Sequence, residues 1–289
     1  MPDRAQRKPI IVMSSPSERR LLVIHFGLPK TGSSTIQEML RLNRDTLRRL
    51  GVAVSARDDL TCELRSSNNR FIKKGGLLKQ ARQRLALWRF SRRVRLVSEP
   101  VLLVSDENLL GTRSAYLFAP LKYERFEAIA KSIDQACRSP DLECRYVVYT
   151  RDLERWRKSS YNQSAKTAKH LLDFQTWCDK NDNLKGPDQI VEKLRAALGE
   201  RLVVVAMEDE LGSGVPLGSA VLSACGLSSN EVSDLKTPQP SNVSMPPNAL
   251  ELIRILGEYG LEREATKKVT QALRQNGHLL GVKSREHND

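Results

Sequence analysis

Four short apolar runs limit what this chain can fold into: LLVIHF (21–26), VLLV (101–104), RYVVYT (145–150) and LVVVA (202–206). Each is too short for an ordinary helix, and each is partly β-branched or aromatic. Runs that are apolar throughout, rather than alternating, belong to strands buried on both faces, which is the habit of parallel sheets. Stretches of helical periodicity separate them. One spans 33–50 and stops at Gly51, and helix-like stretches cover 71–96. Others span 124–137, 171–182, 189–198, 249–258 (opened by Pro247) and 262–275. Strand and helix in alternation predict an α/β fold, a single domain over 21–289 with a central parallel β-sheet flanked by helices. Residues 1–20 read as a flexible leader. In such a sheet the ligand sits at the carboxyl ends of the strands.

Three of the four predicted strands end in reactive chemistry. The first runs into HFGLPKTGSST (25–35). Gly27 and Gly32 have the spacing of a nucleotide-triphosphatase loop, G-x-x-x-x-G-K-[ST], yet Ser33 follows Gly32 and the lysine, Lys30, lies between the glycines. The glycines let backbone approach an anion, and the helix start that follows favours phosphate. Ser33, Ser34 and Thr35 add hydroxyls. A glycine-rich turn with an N-cap serine is the plainer alternative. The third strand ends at Arg151, with Ser159 eight residues on. A strand-end arginine can fork onto a phosphate, and Ser159 can join it if the next helix starts after a short bend near Leu153. The second strand ends in SDEN (105–108). There an acidic group could hold magnesium or take a proton, although Asp106 is better read as capping a short helix.

Lys and Arg number 47 against 34 Asp and Glu, a formal charge of +13. That favours an anionic partner: a nucleotide, an acidic glycan, an anionic membrane surface or nucleic acid. RQRLALWRFSRRVR (82–95) is a candidate binding face, with a solvated amphipathic helix as the simpler reading. Aromatic residues are 5% and do not interleave with the arginine runs, which argues against a nucleic-acid-binding protein. The five cysteines form no C-x-x-C pair. They read as reduced thiols of a cytoplasmic protein, neither a disulfide framework nor a metal site. No apolar run is long enough to span a bilayer.

Taken together, these residues resemble sulfotransferases that use 3'-phosphoadenosine-5'-phosphosulfate. The family's loop, P-K-[ST]-G-[ST]-[ST], is matched by Pro29, Lys30, Thr31, Gly32, Ser33 and Ser34, with Thr35 a further hydroxyl. Its strand-end arginine and the serine eight residues later are matched by Arg151 and Ser159. GLPKTGSSTIQ, SDEN and SNVS (241–244) are most similar to bacterial members acting on carbohydrates or lipid-linked glycans. The resemblance implies a P-loop-like domain whose 29–35 loop holds the 5'-phosphosulfate. Arg151 and Ser159 would hold the 3'-phosphate, and no metal is needed. It implies transfer of a sulfuryl group to a hydroxyl or amine, leaving adenosine 3',5'-bisphosphate. Lys30 would neutralise charge at the leaving group. Glu107 is the first candidate for general base, His25 the second, and His170 an outside one. The tryptophan that small-molecule members place after the hydroxyl pair is replaced here by Thr35 and Ile36, so adenine recognition must come from elsewhere. The acceptor is expected to be a glycan or glycolipid, with peripheral contact to an anionic membrane.

The rival enzyme is a P-loop kinase or triphosphatase with a variant loop. It predicts dependence on ATP and magnesium, with Asp106 on the metal.

Overall fold

The computed structural model describes residues 19–111, 123–165, 171–181, 187–238, 244–260 and 262–276. His170, residues 1–18 of the leader and residues 241–243 of SNVS lie outside the described residues. The sheet has five parallel strands: β1 (Arg20–Phe26), β2 (Val52–Ala56), β3 (Val101–Asp106), β4 (Leu142–Thr150) and β5 (Leu202–Ala206). Their order is β2-β3-β1-β4-β5. Four strands coincide with the predicted runs. The fifth, β2, was not expected. VAVSA contains two alanines and a serine, so it does not stand out as apolar. It is an edge strand paired with β3 alone, and needs less burial than the central ones.

Strand order decides where a ligand can sit. The connection leaving β1 carries the chain to β2 at one edge, and that leaving β4 carries it to β5 at the other. The crevice between the carboxyl ends of β1 and β4 is therefore the topological switch point, the usual binding place of an open parallel sheet. Phe26 of β1 is in register with Asp106 of β3 and Val148 of β4, so Gly27 and Glu107 leave the sheet at one level and Arg151 two residues beyond it.

The predicted helix over 33–50 is two helices, α1 (Ser33–Leu42) and α2 (Arg44–Arg49). No glycine or proline causes the break. The Asn43 amide donates to Met39 and Lys236 carbonyls, 2.8 Å each, and accepts from the Lys236 amide at 2.9 Å. Tertiary partners nearly two hundred residues away interrupt the helix, and no local signal marks the place. The 71–96 region is the end of α3 (Asp59–Lys74) followed by α4 (Leu77–Arg95). Gly75 and Gly76, at φ 62° and 93°, make the corner. Asp58 caps α3 by accepting from the Leu60 amide.

Further along come α5 (Tyr123–Cys137), α6 (Leu153–Ala165), α7 (Phe174–Lys180) and α8 (Asp188–Leu198). After β5 follow α9 (Met207–Ser213), α10 (Ser219–Ala224), α11 (Ser229–Ser233), α12 (Pro247–Glu258) and α13 (Arg263–Gln275). The three short helices α9 to α11 carry too few residues to show a helical period and were not expected.

Alternate residues of β1 feed two cores. Leu22, Ile24 and Phe26 pack with α3, α4, α5 and α8, while Val23 packs with α1, α10 and α11. Each such buried aliphatic side chain contributes about 1.5–3 kcal/mol. Between α5 and the sheet, the buried Asp134 carboxylate accepts from the Tyr146 hydroxyl at 2.9 Å and is paired with Arg138 and Arg201. Burial pushes the Asp134 pKa up, but the Arg201, Tyr146 and Arg138 partners outweigh it and hold the group below the usual carboxylate value. All five cysteines are free thiols. No helix among the described residues is long and apolar enough to cross a membrane.

Candidate active site

The loop between β1 and α1 is built to a tight tolerance. A methyl group on Gly27 would lie 2.7 Å from the Glu107 Cα and 2.8 Å from the Ser33 Oγ, so only glycine lets the two strand ends pass. The Thr31 hydroxyl donates to the Leu28 carbonyl at 2.8 Å and the Ser33 hydroxyl to the same oxygen at 3.2 Å. Thr31 is fully buried and is not in the cavity lining, so the hydroxyl of this residue of the expected 29–35 binding loop braces the loop from within. Ser34 and Thr35 lie nearer the surface and line the cavity. Lys30 has φ 68° and Gly32 φ 81°, two left-handed residues that turn the chain into α1. At Gly32 a side chain would also meet Leu217.

The other wall comes from β4 and α6, more than a hundred residues later. Arg151 Nη1 donates to the Lys30 carbonyl at 3.0 Å, and the Trp156 indole donates to the Pro29 carbonyl at 2.9 Å. Gln163, two turns beyond Trp156, accepts from the Lys30 ammonium at 3.5 Å. The helix starts at Leu153, as the convergence of Arg151 and Ser159 requires. Trp156 and Gln163 were not anticipated. A tryptophan five residues past a strand-end arginine was the available signal, but its bond to a loop carbonyl is a tertiary fact.

The loop, the end of β3 and the start of α6 enclose a cavity of about 450 Å³. Lys30, Ser33, Ser34 and Thr35 form one wall, Arg151 and Ser159 another, and Glu107 and Asn108 a third. Leu28, Pro29, Gly32, Gln163, Met207 and Ser244 complete it. A second cavity of about 500 Å³ adjoins it, sharing Arg151, Ser159 and Ser244, and is bounded by Tyr161, Phe174 and Leu250. Burial lowers the Arg151 pKa from its ordinary value, with the Glu208 carboxylate opposing and Arg155 reinforcing the shift. Its Nε is buried with no hydrogen-bond partner among the described residues. A partly desolvated guanidinium with an unanswered donor, beside a cavity, suits an anion.

The acidic candidates separate. Asp106 is buried. Its Oδ2 accepts from Thr61 at 2.5 Å and from Arg65 at 2.7 Å, and its Oδ1 accepts from the Asn108 amide at 2.8 Å. It braces the turn after β3, and a cation bound there would have to displace Arg65. Glu107 lines the cavity and forms an ion pair with Arg57, which stands at the end of β2 in a left-handed conformation, φ 54°. Arg57 was not foreseen, because the strand that carries it was not.

His25 lies in the interior, fully buried. Nδ1 shares a 2.8 Å hydrogen bond with the Ser105 hydroxyl, and the ring meets Tyr149 edge-on. Burial lowers its pKa to about 3. It is absent from the lining of either cavity, as its place inside a central strand dictates.

The support beneath the loop is polar as well as apolar. Glu210 of α9 accepts from the Tyr149 hydroxyl at 2.9 Å and from the amides of Gly218 and Ala220 at 2.8 and 2.7 Å. This fixes the segment that presses Leu217 against Gly32.

No family model and no curated protein matches this chain. Among solved structures it is similar to a sulfotransferase from Alicyclobacillus acidocaldarius, at 14% identity and a TM-score of 0.42, over 88% of this chain and 95% of that one. The functional reading that follows rests on the residues of the site themselves.

Proposed function

We propose that the protein is a sulfotransferase that uses 3'-phosphoadenosine-5'-phosphosulfate and sulfates a hydroxyl or amine of a carbohydrate or glycolipid. One observation carries this reading. The loop residues Lys30, Ser34 and Thr35 and the pair Arg151 and Ser159, remote in sequence, line a single cavity at the switch point of the sheet. Arg151 and Ser159, side by side in the lining of both cavities, support a phosphate there, the position the family motif gives to the 3'-phosphate. The first amides of α1 and the Ser34 and Thr35 hydroxyls suit the 5'-phosphosulfate.

The bound donor supplies a sulfuryl group on a good leaving group. The chain's own part is positioning and charge. Lys30, at the tip of the loop, supplies positive charge where the leaving phosphate gains negative charge. Glu107, across the cavity, accepts the proton of the acceptor, with Arg57 fixing its carboxylate.

The kinase reading is less well supported. Its loop lysine is displaced, and Asp106 is committed to Arg65, Thr61 and the Asn108 amide. A thermal-shift comparison of adenosine 3',5'-bisphosphate, AMP and ATP with magnesium distinguishes the two. A ligand at 100 times its Kd stabilises by about 2.7 kcal/mol. Selective stabilisation by the 3',5'-bisphosphate is expected, and stabilisation by ATP with magnesium alone would replace this proposal with a variant triphosphatase.

A further inference from the structure

The outer face of α4 is unlike the rest of the surface. Leu77 and Leu78 are 84% and 80% exposed, Leu85 47%, Trp88 55% and Leu96 77%. Leu78, Leu85, Trp88 and Leu96 follow the three-and-four spacing that places them along one stripe. The helix carries Lys79 and six arginines and no acidic residue. Arg82, Arg89 and Arg93 flank one side of the stripe and Arg84 and Arg95 the other, with Arg92 stacked on the Trp88 ring at 5.5 Å. Arg89 pairs with Glu63 and Arg93 reaches the Asp59 carbonyl, which hold the helix onto α3 and leave the stripe outward.

A soluble surface has no use for three exposed leucines and a tryptophan on one 19-residue helix, with a fourth leucine at its C-cap. We propose that this face docks on an anionic phospholipid bilayer. The leucines and Trp88 enter the boundary between headgroups and acyl chains, and the flanking arginines reach the lipid phosphates. Charge selects this occupant. A second copy packed on the same face would set its seven cations against seven others. A polynucleotide would satisfy the arginines but would leave the leucines uncovered, with Trp88 the only aromatic ring on the stripe. Trp88 also sits at the depth where an amphipathic ring is favoured in a membrane interface.

The helix also has an inward connection. Gln83 donates to Asn68 at 3.1 Å, and Asn68 donates to the Leu109 carbonyl at 2.8 Å, two residues past Glu107. The docking itself does not depend on the reaction proposed above.

Co-sedimentation of the full chain with large vesicles tests it. Phosphatidylcholine vesicles containing about one-third phosphatidylserine are compared with phosphatidylcholine alone, at an ionic strength of about 0.1 M. The chain is expected to sediment with the anionic vesicles and not the neutral ones, with a blue shift of tryptophan emission that is lost in Trp88→Phe. The triple variant L78S/L85S/W88S and the triple variant R82E/R84E/R92E should each bind at least about tenfold more weakly, with unchanged circular dichroism and melting. Failure to sediment with anionic vesicles overturns the proposal. So does binding that the leucine–tryptophan variant leaves intact, since arginines alone would then carry it. A dimer abolished by that variant, or capture of single-stranded RNA without vesicle binding, would give the face to a second copy or to a polynucleotide.

Discussion

Arg151 Nη1 donates to the carbonyl oxygen of Lys30 across 121 residues of sequence. One guanidinium thus ties down the loop between β1 and α1 while its residue also lines the cavity. The two jobs separate experimentally. Arg151→Lys retains charge but loses the planar fork, so affinity for adenosine 3',5'-bisphosphate should fall by about tenfold or more while AMP binding changes by less than about threefold. Isothermal titration with both nucleotides measures the ratio. An equal loss for both would reduce Arg151 to a brace for the loop.

Lys30 combines the side chain proposed to act at the leaving group with a left-handed backbone. Lys30→Ala keeps the strain and removes the ammonium, and sulfuryl transfer should drop by about 10²–10³ with little change in melting temperature. Lys30→Gly removes both and should be more stable than Lys30→Ala by roughly 1 kcal/mol in urea unfolding, though equally inactive. Turnover near the wild-type rate in either variant would take Lys30 out of the reaction.

Gly27→Ala introduces a methyl 2.7 Å from the backbone of Glu107. The strand ends must part, at a cost of about 2 kcal/mol or more, and the loop and Glu107 should shift together. Both nucleotide binding and stability are expected to fall. A variant with native melting and native affinity would mean that the loop has room that its geometry denies.

Glu107→Gln preserves shape and hydrogen bonding but cannot take a proton. It should lower kcat by about 10²–10⁴ while adenosine 3',5'-bisphosphate binds as before. Arg57→Ala should lower kcat less, because Arg57 acts through Glu107, and Arg57→Lys should restore part of the rate. An unaltered kcat in Glu107→Gln would send the search for the base elsewhere along the cavity wall.

His25 should leave its mark on stability. Its folded pKa, lowered to about 3 by burial, lies below the 6.5 of an exposed histidine. The unfolded chain therefore binds the extra proton first, and stability present above about pH 6.5 is lost as pH falls toward 3. Between pH 6.5 and 5 the loss is about 1.7 kcal/mol, the slope approaching 1.36 kcal/mol per unit as the unfolded imidazole becomes fully protonated. Urea unfolding of the wild type and of His25→Gln at both pH values compares the slopes. The variant should lose correspondingly less, and identical slopes would show that His25 does not titrate on unfolding.

Local pattern determined much of this molecule. Central strands buried on both faces must be apolar throughout, so β1, β3 and β4 were legible in LLVIHF, VLLV and RYVVYT, and edge strand β5 was legible because LVVVA is apolar and β-branched all the same. Long helices with one buried face, such as α8 and α12, show their period. The spacing of Gly27, Gly32 and Lys30 and the eight-residue step from Arg151 to Ser159 pointed to an anion site, because both are patterns of nearby residues. Tertiary structure alone decided the rest. Strand order is not written in any one strand, yet it puts β1 beside β4 and so joins the two motifs into one cavity. Thr31, one of the expected loop residues, turns its hydroxyl inward to the Leu28 carbonyl, a contact the motif alone does not reveal. Asn43 broke a helix through partners at Lys236, and edge strand β2, too weakly apolar to stand out, delivered Arg57 to Glu107. Each of these depends on residues far apart in the chain, whose meeting is fixed by the packing of the whole sheet and its helices and by no segment alone.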